Sequence, residues 1–412
     1  MPSLPYDRAA AITETLEDRL VGALSGENPV RRRTVLGGLG IAGAAAVGAT
    51  GSAAGSAPGP ASPESTHGHF GAVDEFESQR FDPHEFLTTF DTGTVRQENG
   101  RQVREFDFTA VDTVIEIAPG VRFPVWAYNG QVPGPTIRAT EGDLIRVNFE
   151  NFGDHAHTIH PHLKNLAPEM DGIPQNGPGV LDTNESFTYE WQAKPAGVHL
   201  YHCHSLPLKE HIHRGLYGAM IVDPDPERVR ERPEDYVPYH ASQITDELRD
   251  DLVREAKTRN QDYPENDDVN EMVMVMNGFD TNFDGDNEVY AVNSRAFAYG
   301  VGRTDGKGNW EAGETKKPIT INSNQRQRVY LINTIEFDFI NSFHTHSQFF
   351  DYYDHGTTLV PTHQTVDTIL QTQAQRGIIE LDYSDHDPGL YMFHAHQSEF
   401  AELGWMSFFE VV

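Results

Sequence analysis

The sequence predicts an all-β chain of two β-sandwich domains in tandem, and three observations carry that expectation. Short alternating or β-branched runs recur between turn signals, and the same plan of runs occurs twice. Both halves also close alike, on an aromatic strand, a His-x-His pair, a glycine and an apolar terminal strand, at 197–222 and again at 389–412. In the first half the runs include Thr113-Val-Ile-Glu-Ile117, Leu144-Ile-Arg-Val-Asn-Phe149 and Ser186-Phe-Thr-Tyr-Glu-Trp191. Such alternation places one face of a strand in a core and the other in water. The stretch Asn129-Gly-Gln-Val-Pro-Gly-Pro-Thr136 cannot be helical, since its glycines and prolines break the period and mark a turn into a strand. Runs resume at Met272-Val-Met-Val-Met276, Pro318-Ile-Thr-Ile-Asn322, Arg328-Val-Tyr-Leu-Ile332 and Gly377-Ile-Ile-Glu-Leu381. A repeat on this scale argues for two homologous sandwiches.

Length agrees with that division, because 412 residues exceed the roughly 250 to 300 at which a single core stops growing. The expected segments are an export signal at 1–57, a flexible spacer at 58–98, a first domain at 99–226, a charged linker at 227–268 with helix near 245–257, and a second domain at 269–412. Arg31, Arg32 and Arg33 ahead of a Gly/Ala-rich apolar run match the basic and weakly apolar regions of an export signal, and the paired arginines resemble a twin-arginine signal. That predicts an extracellular or cell-surface protein. The alternative, a membrane anchor, is weakened by a run of alanine and glycine with little claim on a hydrocarbon core.

Asp and Glu number 62 against 31 Lys and Arg, a formal charge of −31. Nucleic acid and anionic membranes would be repelled, so neither is an expected partner. The balance resembles that of halophile proteins, where salt shortens the reach of self-repulsion. Cys203 is the one cysteine, which excludes an internal disulfide. Twenty histidines accompany it.

Many of those histidines stand in clusters. In His157-Thr-Ile-His160-Pro-His162, an extended backbone points His160 and His162 to one side and His157 to the other. In His202-Cys203-His204 the two imidazoles face one way and the thiolate the other, so one strand links two metal centres through its own bonds. A thiolate with two imidazoles and a weak or missing axial ligand is the blue copper arrangement. His157 and Cys203 supply two ligands; the third is His211 or, as an alternative, His213; the axial place falls to Leu216, which cannot coordinate. A missing axial donor favours the reduced ion and a high potential. The remaining pairs are His344-Thr-His346 and His394-Ala395-His396. With His160, His162, His202 and His204 they make eight imidazoles, which divide three, three and two around three copper ions. Clusters of this kind beside a lone cysteine do not match a closed tetrahedral zinc site.

Over about 103–412 the sequence resembles a two-domain multicopper oxidase, of the laccase-like and copper nitrite reductase-like cupredoxin group. The motifs are Asn129-Gly-Gln-Val-Pro-Gly-Pro, the His157/His160/His162 triplet followed by Met170-Asp171-Gly172, His202-Cys203-His204, Asn341-Ser-Phe-His344-Thr-His346 and Phe393-His394-Ala-His396. The resemblance implies two cupredoxin-like Greek-key β-sandwiches and about four copper ions per subunit. It implies a type 1 copper in the first domain only, since Ala395, Phe400 and Trp405 stand where a second blue centre would need ligands. It assigns His160 and His344 to a type 2 copper, and His162, His202, His204, His346, His394 and His396 to a type 3 pair. Asp171 would be a catalytic acid that orients water and relays protons, the alternative being a turn aspartate in an Asp-Gly pair. A homotrimer is also implied, with the cluster at the subunit interface.

The implied function is one-electron oxidation of a reductant, which the sequence does not identify, coupled to four-electron reduction of dioxygen to water. A copper nitrite reductase is the nearest alternative. It needs one catalytic copper, and His204, His394 and His396 are surplus to it. A copper-binding electron carrier would explain Cys203 but not the paired histidines of both halves. Asp280-Thr-Asn282-Phe-Asp284-Gly285-Asp286 begins like a calcium loop, yet Ala291 stands at the twelfth position, so an acidic hairpin turn is expected. Asp305-Gly-Lys-Gly-Asn309 reads as another turn.

Overall fold

A computed structural model describes residues 81–118, 120–238, 244–300 and 317–412. The expected export signal, most of the spacer and the Asp305 turn lie outside them. The chain is all-β, with two cupredoxin-like sandwiches.

The strands of the first half are β1 (Thr94–Glu98), β2 (Arg101–Ala118), β3 (Val121–Tyr128), β4 (Gly134–Thr140), β5 (Leu144–Asn151), β6 (His160–Pro161), β7 (Ser186–Gln192), β8 (Gly197–His202) and β9 (Tyr217–Asp223). One sheet runs β1-β2-β5-β7, with β3 on the far end of the long β2, and the other runs β4-β9-β8-β6. Parallel pairing of β2 with β5 and of β4 with β9 ties sequence-distant strands together. Alternation in β5 sends Ile145, Val147 and Phe149 into a core with Trp126, Tyr128, Tyr189, Trp191 and Cys203. That core holds one face of the thiolate centre in place.

The second half holds β10 (Val269–Phe279), β11 (Val289–Val292), β12 (Ile319–Ile321), β13 (Arg326–Asn333), β14 (Ile340–Thr345), β15 (Phe350–Asp354), β16 (His363–Val366), β17 (Thr368–Thr372), β18 (Arg376–Leu381), β19 (Gly389–His394) and β20 (Met406–Val411). Its sheets run β11-β10-β13-β18-β15-β16 and β12-β20-β19-β14-β17. The loop between β10 and β11 is the acidic hairpin. Asp280 accepts from the amides of Asp284 (3.0 Å) and Gly285 (2.7 Å), and Glu288 accepts from the Thr281 amide at 2.7 Å. These amides brace the turn, and one oxygen each of Asp280, Asp284 and Glu288 lies within 4.8 Å of the others.

The expected spacer needs correction at its end. Helix α1 (Pro83–Thr88) starts at Asp82, whose side chain accepts from the His84 amide, with Pro83 in the first turn, a favoured start. Leu87 joins the core of the second half, and the Tyr299 hydroxyl donates to the Pro83 carbonyl at 2.7 Å. Two buried apolar side chains, Phe86 and Leu87, suffice to order a stretch whose composition reads as polar tail. β1 then pairs with β2 before residue 99.

Helix α2 (Leu208–His213) joins β8 to β9 within the first half, and between the halves lie α3 (Pro226–Glu231) and α4 (Asp246–Arg259). Thr245 caps α4 by accepting from the Leu248 amide. Helix α4 packs Leu252, Val253 and Ala256 with Val229, Tyr236 and Leu359, so residues from both halves share that core. Charge also crosses here. Arg138 of β4 reaches Asp223 (3.0 Å) and Glu271 (2.6 Å), while Arg328, fully buried on β13, reaches Glu380 (2.7 Å), Glu255 (3.2 Å) and Glu271 (3.3 Å). No helix among the described residues is long and apolar enough to cross a membrane.

Candidate metal centres

Cys203 follows the last residue of β8 and is fully buried, its amide donating to the Leu216 carbonyl at 3.0 Å. Its Sγ lies 3.3 Å from His211 Nδ1 and 3.9 Å from His157 Nδ1, and those two nitrogens are 3.2 Å apart. Amides of Thr158 (3.4 Å) and Ser205 (3.5 Å) point at the sulfur. Leu216 is fully buried in the same core cluster as Cys203. His213 turns elsewhere: its Nε2 accepts from the Asp280 amide at 2.9 Å, and its ring packs on Phe123 and Phe337. Helix α2 is short, and its phase sends His211 to the sulfur and His213 to the second half.

Burial sets the protonation of this site. It pushes the Cys203 thiol above its usual value. It pushes His157 down to about 3, helped by the neighbouring His211 and His155, and His211 down to about 4. Both imidazoles are therefore neutral near pH 7, as a metal ligand must be. One sulfur and two neutral nitrogens converging in an apolar, water-excluding pocket form a donor set that fits copper.

On the other side of the strand, β6 pairs with β8 so that His160 stands opposite His202. The ring of His160 lies 5.2 to 5.3 Å from those of His162, His202 and His204. His162 Nε2 is 3.0 Å from His202 Nε2. His160 Nδ1 is turned to the Asp171 carbonyl (2.7 Å) and carboxylate (3.3 Å), and His202 Nδ1 to the Cys203 carbonyl (2.8 Å). Each contact fixes the orientation of a ring. Burial again pushes imidazoles down, His162 to about 2 and His202 to about 3. These rings line a cleft of about 580 Å³ closed by Leu208, Lys209, Thr334, Glu336 and Gln373.

The second half repeats most of this scheme, with the Thr368 hydroxyl added at 2.8 Å from His344 Nδ1. β14 pairs with β19 so that His344 stands opposite His394. His346 Nε2 is 3.0 Å from His394 Nε2, His394 Nδ1 is 2.6 Å from the Ala395 carbonyl, and His344 Nδ1 is 2.9 Å from the Asp367 carbonyl. The His204 amide donates to Thr158 Oγ1 at 2.9 Å; its counterpart, the His396 amide, donates to Ser342 Oγ at 2.7 Å. The two halves differ in what lies behind. Asn341 stands where the first half has His157, and Ala395 where it has Cys203. Phe343, Phe393 and Trp405 close the space, with Phe400 stacked on Tyr290.

His160, His162 and His202 thus form one triad and His344, His346 and His394 another, with His204 and His396 beside them. Among the described residues, no ring contact joins the two sets. Asp367, with its carboxylate 4.0 Å from His344 Nδ1, was not singled out by the sequence. It lies 23 residues beyond His344, outside any motif, and only the pairing of β14 with β17 brings it there. Thr158 and Ser342 could have been found by aligning the halves on their histidines.

A multicopper oxidase profile matches residues 110–227, and a second one matches 281–412. A solved multicopper oxidase structure is 43% identical, covers 80% of this chain and 97% of its own, and superposes with a TM-score of 0.64. The chain belongs to the multicopper oxidase family. Copper is the metal that membership implies, in agreement with the donor set around Cys203. Copper resistance protein A of Pseudomonas syringae pv. tomato is 31% identical over 155 residues, 37% of this chain and 24% of that one. The copper-containing nitrite reductase of Neisseria meningitidis serogroup A is 31% identical over 118 residues, 28% of this chain and 29% of that one. The matched region thus spans about a quarter of the length of these curated relatives.

Proposed function

We propose that this multicopper oxidase takes electrons singly from a reductant at the Cys203 centre and delivers four to dioxygen, yielding water, at a cluster built from its eight paired histidines. The observation that carries this reading is the covalent continuity of His202-Cys203-His204. The sulfur faces His157 and His211, while the flanking imidazoles face His160 and His162. Copper, when bound, supplies the one-electron chemistry that no side chain here can provide. The chain contributes two backbone paths from sulfur to imidazole, each short and rigid. Asp171 holds His160 through its carbonyl and one carboxylate oxygen, and that carboxylate would pass protons toward the oxygen being reduced.

We propose a ring of three subunits, the number that the resemblance implies and that the two half-sites allow. Each chain presents a first-half set at the cleft and a second-half set whose His346 and His396 are exposed. Contact of one kind of surface with the other, repeated and closed, gives a cyclic oligomer. Nitrite reduction leaves His204, His394 and His396 without employment. We further propose export by the twin-arginine-type segment at 1–57 to the cell surface or medium; recovery of the chain only inside the cell would contradict it.

The deciding experiment measures copper per subunit, dioxygen uptake with a generic electron donor, and mass in solution. About four coppers with uptake and a trimeric mass are expected. About two coppers with nitrite but not dioxygen consumed would overturn the reading, and a fully loaded, active monomer would remove the ring.

A further inference from the structure

Neither imidazole beside Cys203 offers an edge to solvent: His157 is fully buried and His211 is 3% exposed. One ring covers both. The Trp126 indole, itself 3% exposed, lies 4.7 Å from the His211 ring and 5.4 Å from that of His157. Its outer side meets His155 at 4.5 Å, and His155 is exposed. Surface imidazole, indole and ligand imidazole thus form a contiguous row of tilted rings that ends in water, with His155 also 6.5 Å from the His157 ring.

The indole is held firmly. Its backbone amide donates to the Arg214 carbonyl at 2.9 Å, on the loop directly after α2. The Arg214 guanidinium sits 5.1 Å over the indole and 4.8 Å over Phe283 of the acidic hairpin, and its other partner is Glu210 at 3.5 Å. Cation and ring attract in such a geometry and fix each other. Packing alone would be served by any large apolar side chain at this position. A π-system in van der Waals contact with both candidate ligands also offers the electronic coupling that a saturated side chain lacks.

We propose that Trp126 is the electron port of the Cys203 centre, with His155 as its surface terminus. The inference rests on the proposed role of that centre as the place where electrons arrive. A reductant docks at His155; one electron leaves it and reaches the ligand imidazoles through the row of rings. The reductant is oxidised by one electron, the bound metal is reduced by one, and no proton need move. Trp126 acts through His211 and His157 and does not touch the metal, so it is a positioning and coupling residue.

The test uses copper-loaded full-length protein without dioxygen and ferrocenemethanol as the probe, a neutral donor that gives one electron and no proton. Bleaching of the blue band is followed in a stopped flow, and the band position and midpoint potential are recorded for every variant. Trp126→Leu should slow bleaching by about tenfold or more with band and potential unchanged, Trp126→Phe should restore most of the rate, and His155→Leu should slow it as well. A Trp126→Leu rate within about twofold of the parent, at unchanged potential, overturns the proposal. So does a shift of band or potential large enough to account for the slower rate, which would make Trp126 a prop for the ligands. Should Trp126→Leu fail to fold or take up copper, the surface variant His155→Leu decides on the same criterion. A parent protein with no blue band would instead defeat the functional reading beneath the proposal.

Discussion

Cys203→Ser is expected to abolish the blue absorption and to reduce dioxygen uptake to background, while leaving the histidine clusters able to bind metal. Serine is close in size to cysteine, so the pocket keeps its shape. What it loses is the soft, polarisable donor that selects copper in this geometry and gives the colour. The hydroxyl would also stay protonated, and burial already pushes the native thiol up. Copper content should fall by about one ion per subunit, not by all of them, because the imidazole clusters lie across the strand. Metal analysis with visible and paramagnetic resonance spectra checks this. A serine variant that stays blue would refute the thiolate centre outright.

Arg328→Met carries the second large effect, on stability. Methionine fills a comparable volume in the core but leaves Glu255, Glu271 and Glu380 short of a cation they share. Breaking a buried charge network from one side costs about 3–5 kcal/mol, because the remaining charges stay desolvated. The loss should appear as a lower midpoint in denaturant. The acid limb should shift too. Burial would raise Glu255, but Arg259, Arg328 and Arg326 outweigh it and hold the group at about 2. A carboxylate held below its unfolded value of 4.5 stabilises the fold fully above that value, and the contribution disappears as pH falls toward about 2. Removing Arg328 raises the folded value, so acid unfolding should begin at higher pH. An unchanged acid midpoint would show that Arg328 does not hold these carboxylates down.

The strands and the histidines were legible because each is a local pattern. Alternation in β5 or β7 is visible over eight residues, and His-x-His on an extended backbone fixes which side each ring takes without reference to the rest of the chain. Choosing His211 over His213 needed the phase of α2, which depends on how that single turn docks between Trp126 and the acidic hairpin. The ordered end of the spacer escaped notice because two apolar residues in α1 are too few to set a period. Arg138 and Glu271 are 133 positions apart, and nothing in either neighbourhood announces the other. Asp367 was hidden for the same reason: a strand pairing, not a motif, carries it to His344.

The plugged site of the second half has a consequence for what an ion adds to stability. Where the first half keeps a thiol and two imidazoles stripped of water, the second half has Ala395, Trp405 and Phe393 in hydrocarbon contact, so its fold is complete without any ion behind the histidines. The first half keeps donors for an ion at the same place. Its desolvated nitrogens and sulfur find their best partner in the metal itself, and the ion serves there as a keystone. An ion that binds the folded first half would therefore add to its stability by mass action, while the second half holds its shape through hydrocarbon contact alone.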